Sequence, residues 1–288
     1  MKIVALTTCH NRRDLTLCAL KSLHQQILPA DCRLEVCLVD DGCTDGTGDI
    51  VRANYPNVIV LKGTGNLFWA GGMRFGWEGF VKQQEMDYLL VFNDDVVLYP
   101  NAIEMMLSSA AAVSASGCDE YAIAGAFQEP DTGETSYGAV VRNSLWHPLR
   151  FGKVAPAKTI QDCDTLNMNL ALISDGSLKR IGFLSKEFIH SKADFDYGLR
   201  LRAEGGRVVL APGFIGGCAS NSNERSDEPS APFKERWRRL TSNKEQPPRE
   251  RAVLYRRHAG FLWPLFWLLP YLSVCVRGGV RQWFSKGK

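Results

Sequence analysis

The sequence has no Cys-x-x-Cys pair and no His/Cys spacing of a zinc site, although it carries nine cysteines. That number is odd and the residues are scattered from Cys9 to Cys275, so neither a disulfide framework nor a structural zinc is indicated. The reading is of a reducing, cytoplasmic compartment. No run of 18 uninterrupted apolar residues occurs, which argues against a straight membrane span. The opening MKIVALTTCHNRRD turns polar too soon for a secretory signal. A Walker Gly-Lys-Ser/Thr loop and a Gly-x-Gly-x-x-Gly fingerprint are both missing, so the familiar phosphate-cradling motifs do not apply. Acidic residues are scarce at one end: from Pro232 onward 3 Asp/Glu face 13 Lys/Arg, and the overall charge of +3 therefore leaves −7 on the rest. What remains is an ordinary globular composition, 288 residues with 45% hydrophobic and 23% charged, enough for one large α/β domain or two small ones.

Short apolar runs alternate with helix-length segments over the first 100 residues. Lys2–Thr7, Leu34–Val39, Val58–Leu61 and Tyr88–Phe92 read as strands. Between them, Leu15, Ala19 and Leu23 recur at helical spacing with Asn11 as N-cap, and Thr44 and Asp45 cap a helix over 46–54. This order predicts an α/β fold with a mixed, mostly parallel central sheet and helices on both faces. Further strands are expected at Tyr121–Ala126, Thr165–Ile173 and Arg207–Ala211, with a hairpin at Asp131–Glu134 and a helix fed by the loop from Ser185. Three segments result: a nucleotide-binding domain over 1–219, a mobile connection over 220–250, and an apolar, basic helical tail over 251–288.

In such sheets, ligands bind at the carboxyl ends of the strands, and there the sequence places Thr8–Asn11, Asp40–Asp41, Gly63–Asn66 and Asn93–Asp95. Adjacent carboxylates at a strand end suit a hard cation such as Mg²⁺ or Mn²⁺ and a ribose hydroxyl; an Asp-rich turn explains each pair equally well. Trp69, in the Gly-rich stretch 63–72, can pack on a base or sugar, or close a flexible loop. Asp194 sits at a helix N-terminus, where the dipole favours the ionised form that a general base needs; it could equally be a simple cap. Asp196 and Arg200 stand at i, i+4 and predict a structural ion pair. His190 reads as a satisfied loop histidine.

The run Phe261–Val276 is apolar and aromatic, with Arg251, Arg256 and Arg257 before it and Arg277, Arg281, Lys286 and Lys288 after it. Pro264 and Pro270 are expected to break a long helix there. The preferred reading is attachment at the interface of anionic lipid, the inner face of the cytoplasmic membrane. The alternative is a helix hairpin packed on the body or at a homodimer contact. Nucleic acid suits this Trp- and Leu-rich tail poorly.

Taken in order, VDDGCTDGT (39–47), GTGNLFWAGGM (63–73), LLVFNDDVVL (89–98), TLNMNLALIS with IGFLSKEFIH (165–190) and DFDYGLRLRAEG (194–205) resemble family 2 glycosyltransferases of the GT-A fold, rhamnosyltransferase-like members in particular. The resemblance covers residues 1–215. It implies an inverting, metal-dependent transfer from a dTDP-, UDP- or GDP-sugar to a glycan or lipid-linked acceptor in bacterial surface polysaccharide synthesis. Asp40 and Asp41 would face the nucleobase and ribose, with Thr8, Asn11, Asn66 and Trp69 around the nucleotide. Asn93, Asp94 and Asp95 stand at the DxD position, Asp95 as metal ligand and Asp94 nearer the ribose. Asp194 would be the base. Two departures accompany this: Ala193 stands where the family commonly has Glu, and Cys218 follows the last strand where the family often has a metal-binding His. The competing readings are a nucleotidyltransferase and a non-catalytic nucleotide-sugar or glycan-binding module at a membrane.

Overall fold

The computed structural model describes residues 1–220, 232–242 and 247–285, the backbone alone for Arg239 and 276–285. At the centre lies β1 (Lys2–Cys9), buried from Ile3 to Cys9, as expected of an apolar run covered on both faces. It pairs in parallel with β2 (Arg33–Asp40), which pairs in parallel with β3 (Val58–Lys62). On its other side runs β4 (Tyr88–Phe92), again parallel. Beyond β4 the main sheet continues with β12 (Leu170–Ser174), β6 (Tyr121–Gln128), β13 (Arg207–Gly217) and β10 (Gln161–Cys163). Of these, β12 and β10 are reversed while β6 and β13 follow the direction of β4. The sheet is thus mixed and mostly parallel. Small strands finish it: β5 (Val97–Leu98) on β13 and β7 (Thr135–Tyr137) on β6, the latter closing the expected hairpin. A separate sheet holds β8 (Ala139–Arg142), β9 (Phe151–Lys153) and β11 (Thr165–Leu166).

Alternation along the strands makes two cores. Ile3 and Ala5 point to one layer with Leu20 of α1 (Arg13–His24), Val51 of α2 (Thr47–Asn54) and Met106 of α4 (Ala102–Ala115). Val4 and Leu6 point to the other, with Met73 of α3 (Phe68–Gly79), Leu178 of α5 (Asp175–Ile181) and Tyr197 of α6 (Ala193–Ala203). Leu254 of α8 (Pro248–His258) joins the second core. A third, small cluster forms where Leu240 of α7 (Phe233–Leu240) meets Tyr271 and Val274 of α9 (Trp263–Ser285).

Five sequence expectations change. Asn11 is not an N-cap: α1 starts at Arg13, Asn11 has φ 52°, and Arg12 precedes the helix without a side-chain cap. The amide of Arg13 instead donates to Asp45 Oδ2 at 3.0 Å, so the neighbouring loop supplies the acceptor that the helix start needs. The Gly-rich stretch is half helix, since α3 begins at Phe68. Thr165–Ile173 is not one strand; β11 and β12 belong to different sheets, and the chain crosses between them at Asn167–Asn169. Of the expected connection over 220–250, residues 221–231 and 243–246 lie outside the described residues, and in the rest α7 lies within it and α8 starts inside it. Finally, α9 continues through Pro270. Pro264 sits in the first turn, where its missing N–H is no loss, and packing of Trp267, Tyr271 and Val274 offsets the bond lost at Pro270.

Candidate active site

The carboxyl ends of β1, β2 and β4 open into one cleft of about 900 Å³. Thr8, Asp41, Asn66, Trp69, Asn93, Asp94, Asp95 and Asp194 all line it; Asn11 and Asp40 do not. Both exceptions are explained by local bonds. Asn11 Oδ1 accepts from the amide of Thr44 at 2.7 Å, joining the loops after β1 and β2. Asp40 turns under its own loop, where Oδ1 accepts the amide of Cys43 at 2.8 Å. A Cβ on Gly48 would come within 2.1 Å of Asp40 Oδ2, so the start of α2 closes over this carboxylate. Asp40, expected beside a nucleobase, thus lies under the loop after β2 and outside the cleft lining.

Asp41, 3% exposed, holds the Gly-rich loop. Its Oδ1 accepts the amide of Gly65 at 2.7 Å and its Oδ2 that of Leu67 at 2.9 Å. Glycine is required for this approach: Gly65 has φ +88°, and a Cβ on Gly63 would lie 2.8 Å from Asp41 Oδ1. The loop thereby delivers Asn66 and Trp69 to the cleft. Trp69 is anchored by the residue after β4, its Nε1–H donating to Asn93 Oδ1 at 2.8 Å. His190 accepts the Trp69 amide on Nδ1 at 3.4 Å, the satisfied loop histidine expected from sequence, although it also lines the cleft.

At the end of β4, Arg12 bridges two carboxylates: Nη1 donates to Asp94 Oδ1 at 3.2 Å and to Asp95 Oδ2 at 2.9 Å. Burial raises the pKa of Asp94 to about 6, against the pull of Arg12 and with the help of Asp95. Sequence reasoning missed Arg12; the only trace was a basic pair, Arg12–Arg13, directly after the first strand. The carboxylates of Asp94 and Asp95 are hard donors on the cleft wall and suit Mg²⁺ or Mn²⁺. Cys218 lies nearby, Sγ 3.9 Å from Asp95 Oδ1, but burial first, then the charge of Asp95, lift its thiol to about 12. It stays protonated and does not suit a hard cation. Among the described residues, no group of three or more His, Cys, Asp or Glu forms a metal cluster. A cation here would find two carboxylates, Asp94 and Asp95, on the cleft lining.

Asp194, also on the cleft lining, opens α6 after Lys192, whose φ is 65°. Asp194 Oδ1 accepts the amide of Phe195 at 2.8 Å, and Asn167 Nδ2 lies 3.5 Å from Oδ2. Burial raises its pKa despite Lys192 and these donors. Asp196, two residues further along the helix, points away and is fully buried. The expected pair with Arg200 is present at 2.9 Å, and α8 adds Arg257 at 3.0 Å and His258 Nε2–H at 2.9 Å. Burial alone would raise the Asp196 pKa, but His258, Arg200 and Arg257 together hold it below the usual carboxylate range. The helix that carries Asp194 is thus pinned from behind by α8.

Comparison with known proteins adds the following. The profile described as Glycosyl transferase family 2 matches residues 5–146. No curated protein matches the chain. Among solved structures, a mannosyltransferase from Pyrobaculum calidifontis in complex with GDP-Man and Mn²⁺ is similar with a TM-score of 0.57 and 13% identity, covering 96% of this chain and 73% of its own. S. aureus TarS 1–349 in complex with UDP-GlcNAc is similar with a TM-score of 0.55 and 15% identity, covering 90% and 67%. At such identities the likeness is one of fold.

Proposed function

Because the chain belongs to glycosyltransferase family 2 through residues 5–146, we propose that it is an inverting enzyme that moves a sugar from a nucleotide-diphosphate donor to a hydroxyl group. The acceptor is a glycan or lipid-linked sugar of bacterial surface polysaccharide synthesis. The observation that carries this reading is the meeting of three groups in one cleft: Asp94 and Asp95 after β4, Asp194 at the N-terminus of α6, and a glycine-tethered loop with Trp69. The first suits a diphosphate with its cation, the second a proton to be removed.

In this mechanism, Asp194 takes the proton of the acceptor hydroxyl as its oxygen attacks the anomeric carbon from the face opposite the leaving group. A C–O bond forms there, the bond to the diphosphate breaks, and the electron pair departs on the nucleotide. Asp95, with Asp94 beside it, would hold Mg²⁺ or Mn²⁺, which when bound neutralises charge on the diphosphate. Arg12 is a second cation on the same wall and can donate to phosphate oxygens. Trp69, fixed by Asn93, offers an aromatic face to the base or sugar, and Asp41 acts through the loop it holds. A single base with no paired carboxylate on the sugar distinguishes this chemistry from glycoside hydrolysis.

The donor is a dTDP-, UDP- or GDP-sugar, and the protein works in the cytoplasm, peripherally at the inner face of the membrane. Among the described residues no helix is long and apolar enough to cross a membrane. Supporting peripheral attachment, α9 turns Leu265, Leu268, Leu269 and Leu272 outward, each at least 40% exposed. The decisive experiment screens nucleotide diphosphates and nucleotide sugars by thermal shift, with and without Mn²⁺, and then assays transfer. Metal-dependent stabilisation by one nucleotide family, together with an Asp194→Asn variant that binds donor and does not transfer, is the expected result. An Asp194→Asn variant that transfers at the full rate would remove Asp194 from the chemistry, and an unmodified chain that binds a nucleotide sugar without transferring it would leave the binding-module reading.

A further inference from the structure

Among the described residues the three most exposed large apolar side chains are Leu145 (101%), Trp146 (89%) and Phe261 (89%). They come from two separate turns, one between β8 and β9 and one between α8 and α9. These turns stand side by side. Ser144 and Leu145 line the same groove, of about 710 Å³, as Ala259 and Gly260. His147 locks them together, its ring edge-on to Phe266 of α9 at 5.0 Å and to Tyr255 of α8 at 6.1 Å.

The tip is built rather than loose. Ser144 Oγ accepts the amides of Trp146 and His147 at 3.3 and 3.0 Å, and the amide of Asn143 donates to the carbonyl of Arg150 at 3.0 Å. The backbone is closed on itself while the Leu and Trp side chains are held outward. The turn meets α9 through His147 and Phe266, and no charged residue occurs from Gly260 to Cys275. Arg150 and Arg256, beside these two turns in the chain, are exposed. An apolar and aromatic tip with basic residues at its margin complements an anionic lipid surface: aromatic side chains settle at headgroup depth and cations meet the lipid charge.

We propose that the Leu145–Trp146 turn and Phe261 form a second lipid-insertion point, which acts with the α9 face to fix how the protein sits on an anionic bilayer. This rests on the membrane attachment proposed above and adds its orientation. The groove between the turns is also walled by His258, whose Nε2–H holds Asp196 on α6, so the insertion point is tied to the helix that carries Asp194.

The test uses the full chain and vesicles of phosphatidylcholine with or without phosphatidylglycerol, in co-sedimentation, with gel filtration and circular dichroism as checks on assembly and folding. A Leu145→Ser/Trp146→Ser variant should keep its fold and lose about tenfold or more in partitioning to the anionic vesicles. A Trp146→Phe variant should lose part of the tryptophan quenching by bromine-labelled lipid. Should the double variant partition like the unmodified chain while Leu265→Ser/Leu269→Ser does not, the second insertion point is wrong and the membrane reading survives. If the unmodified chain binds neither vesicle, both fail. A dimer that the double variant converts to a monomer would assign the patch to a second copy and overturn the lipid assignment.

Discussion

In the cleft, Asp41 and Asp94 are carboxylates only 3% and 7% exposed, whereas on α9 Leu265 and Leu269 are apolar side chains 59% and 50% exposed. Both arrangements run against the preference of polar groups for water and apolar groups for the core. The difference lies in compensation. Asp41 receives two amides and Asp94 a guanidinium, so the cleft is complete within the chain and its bonds describe what it does. Among the described residues the α9 face has no such internal answer, and its role is legible only from what would cover it. Substitutions should therefore act differently in the two regions: in the cleft through chemistry and stability, on α9 through attachment alone.

The largest effect is expected at Asp194. Asp194→Asn should lower kcat by roughly 10²- to 10⁴-fold, the usual worth of a positioned base, with donor binding by calorimetry little changed. In the proposed role Asp194 would work ionised, and burial raises its pKa. Activity of the unmodified chain should thus fall as pH drops through a value above the ordinary carboxylate of roughly 3.9. That acid limb should be missing from whatever activity the variant retains. A variant with unchanged kcat would remove Asp194 from the chemistry.

Next comes Asp196, the joint between the two regions. Asp196→Asn leaves Arg200, Arg257 and His258 around a neutral amide, and about 3–5 kcal/mol of stability should be lost by denaturant unfolding. The sign with pH follows from the lowered pKa. The contribution of Asp196 is fully present above the unfolded value of roughly 3.9 and is lost as pH falls through the lower folded value. The variant should be less sensitive to acid over that window. Equal acid sensitivity in both proteins would show that the cluster does not carry this stability.

Asp41→Asn should rank third. One acceptor oxygen becomes an amide nitrogen facing a backbone N–H, so about 1.5–3 kcal/mol is expected to be lost, together with weaker nucleotide binding as the loop from Gly63 to Leu67 loosens. Calorimetry with nucleotide diphosphates measures the second effect; unchanged affinity would separate the loop from the donor site.

How much of this was readable beforehand follows from how local each feature is. The strands β1, β2 and β4 and the carboxylates at their ends are continuous in sequence, and Asp196–Arg200 is one helical turn, so pattern alone found them. Which of Asp40 and Asp41 enters the cleft was not readable, because adjacent strand-end residues diverge and the choice depends on which layer lies above. Arg12 belongs to a loop with no periodicity, and its partners arrive only through the parallel pairing of β1 with β4. The break at Asn167 was hidden by an unbroken apolar rhythm, since Thr165 and Leu166 serve one sheet and Leu170 to Ser174 another. Leu145 and Trp146 lay in a stretch of weak signal; nothing in their spacing reveals that α8 and α9 fold up beside them.

The smallest stability effect is expected on α9, which makes it the sharpest test of the comparison. Leu268 is 40% exposed and lies outside the small cluster of Leu240, Tyr271 and Val274. Leu268→Gln should shift unfolding free energy by no more than about 0.5 kcal/mol, as surface substitutions usually do, and should leave kcat on a soluble acceptor unchanged. The same substitution should weaken partitioning to anionic vesicles, because an apolar side chain that would be buried in lipid is replaced by a polar one. The pairing of these outcomes is what matters. A stability loss comparable to that at Asp41 would mean that the α9 face is already covered within the chain, and the contrast between a self-contained cleft and an open helix face would collapse.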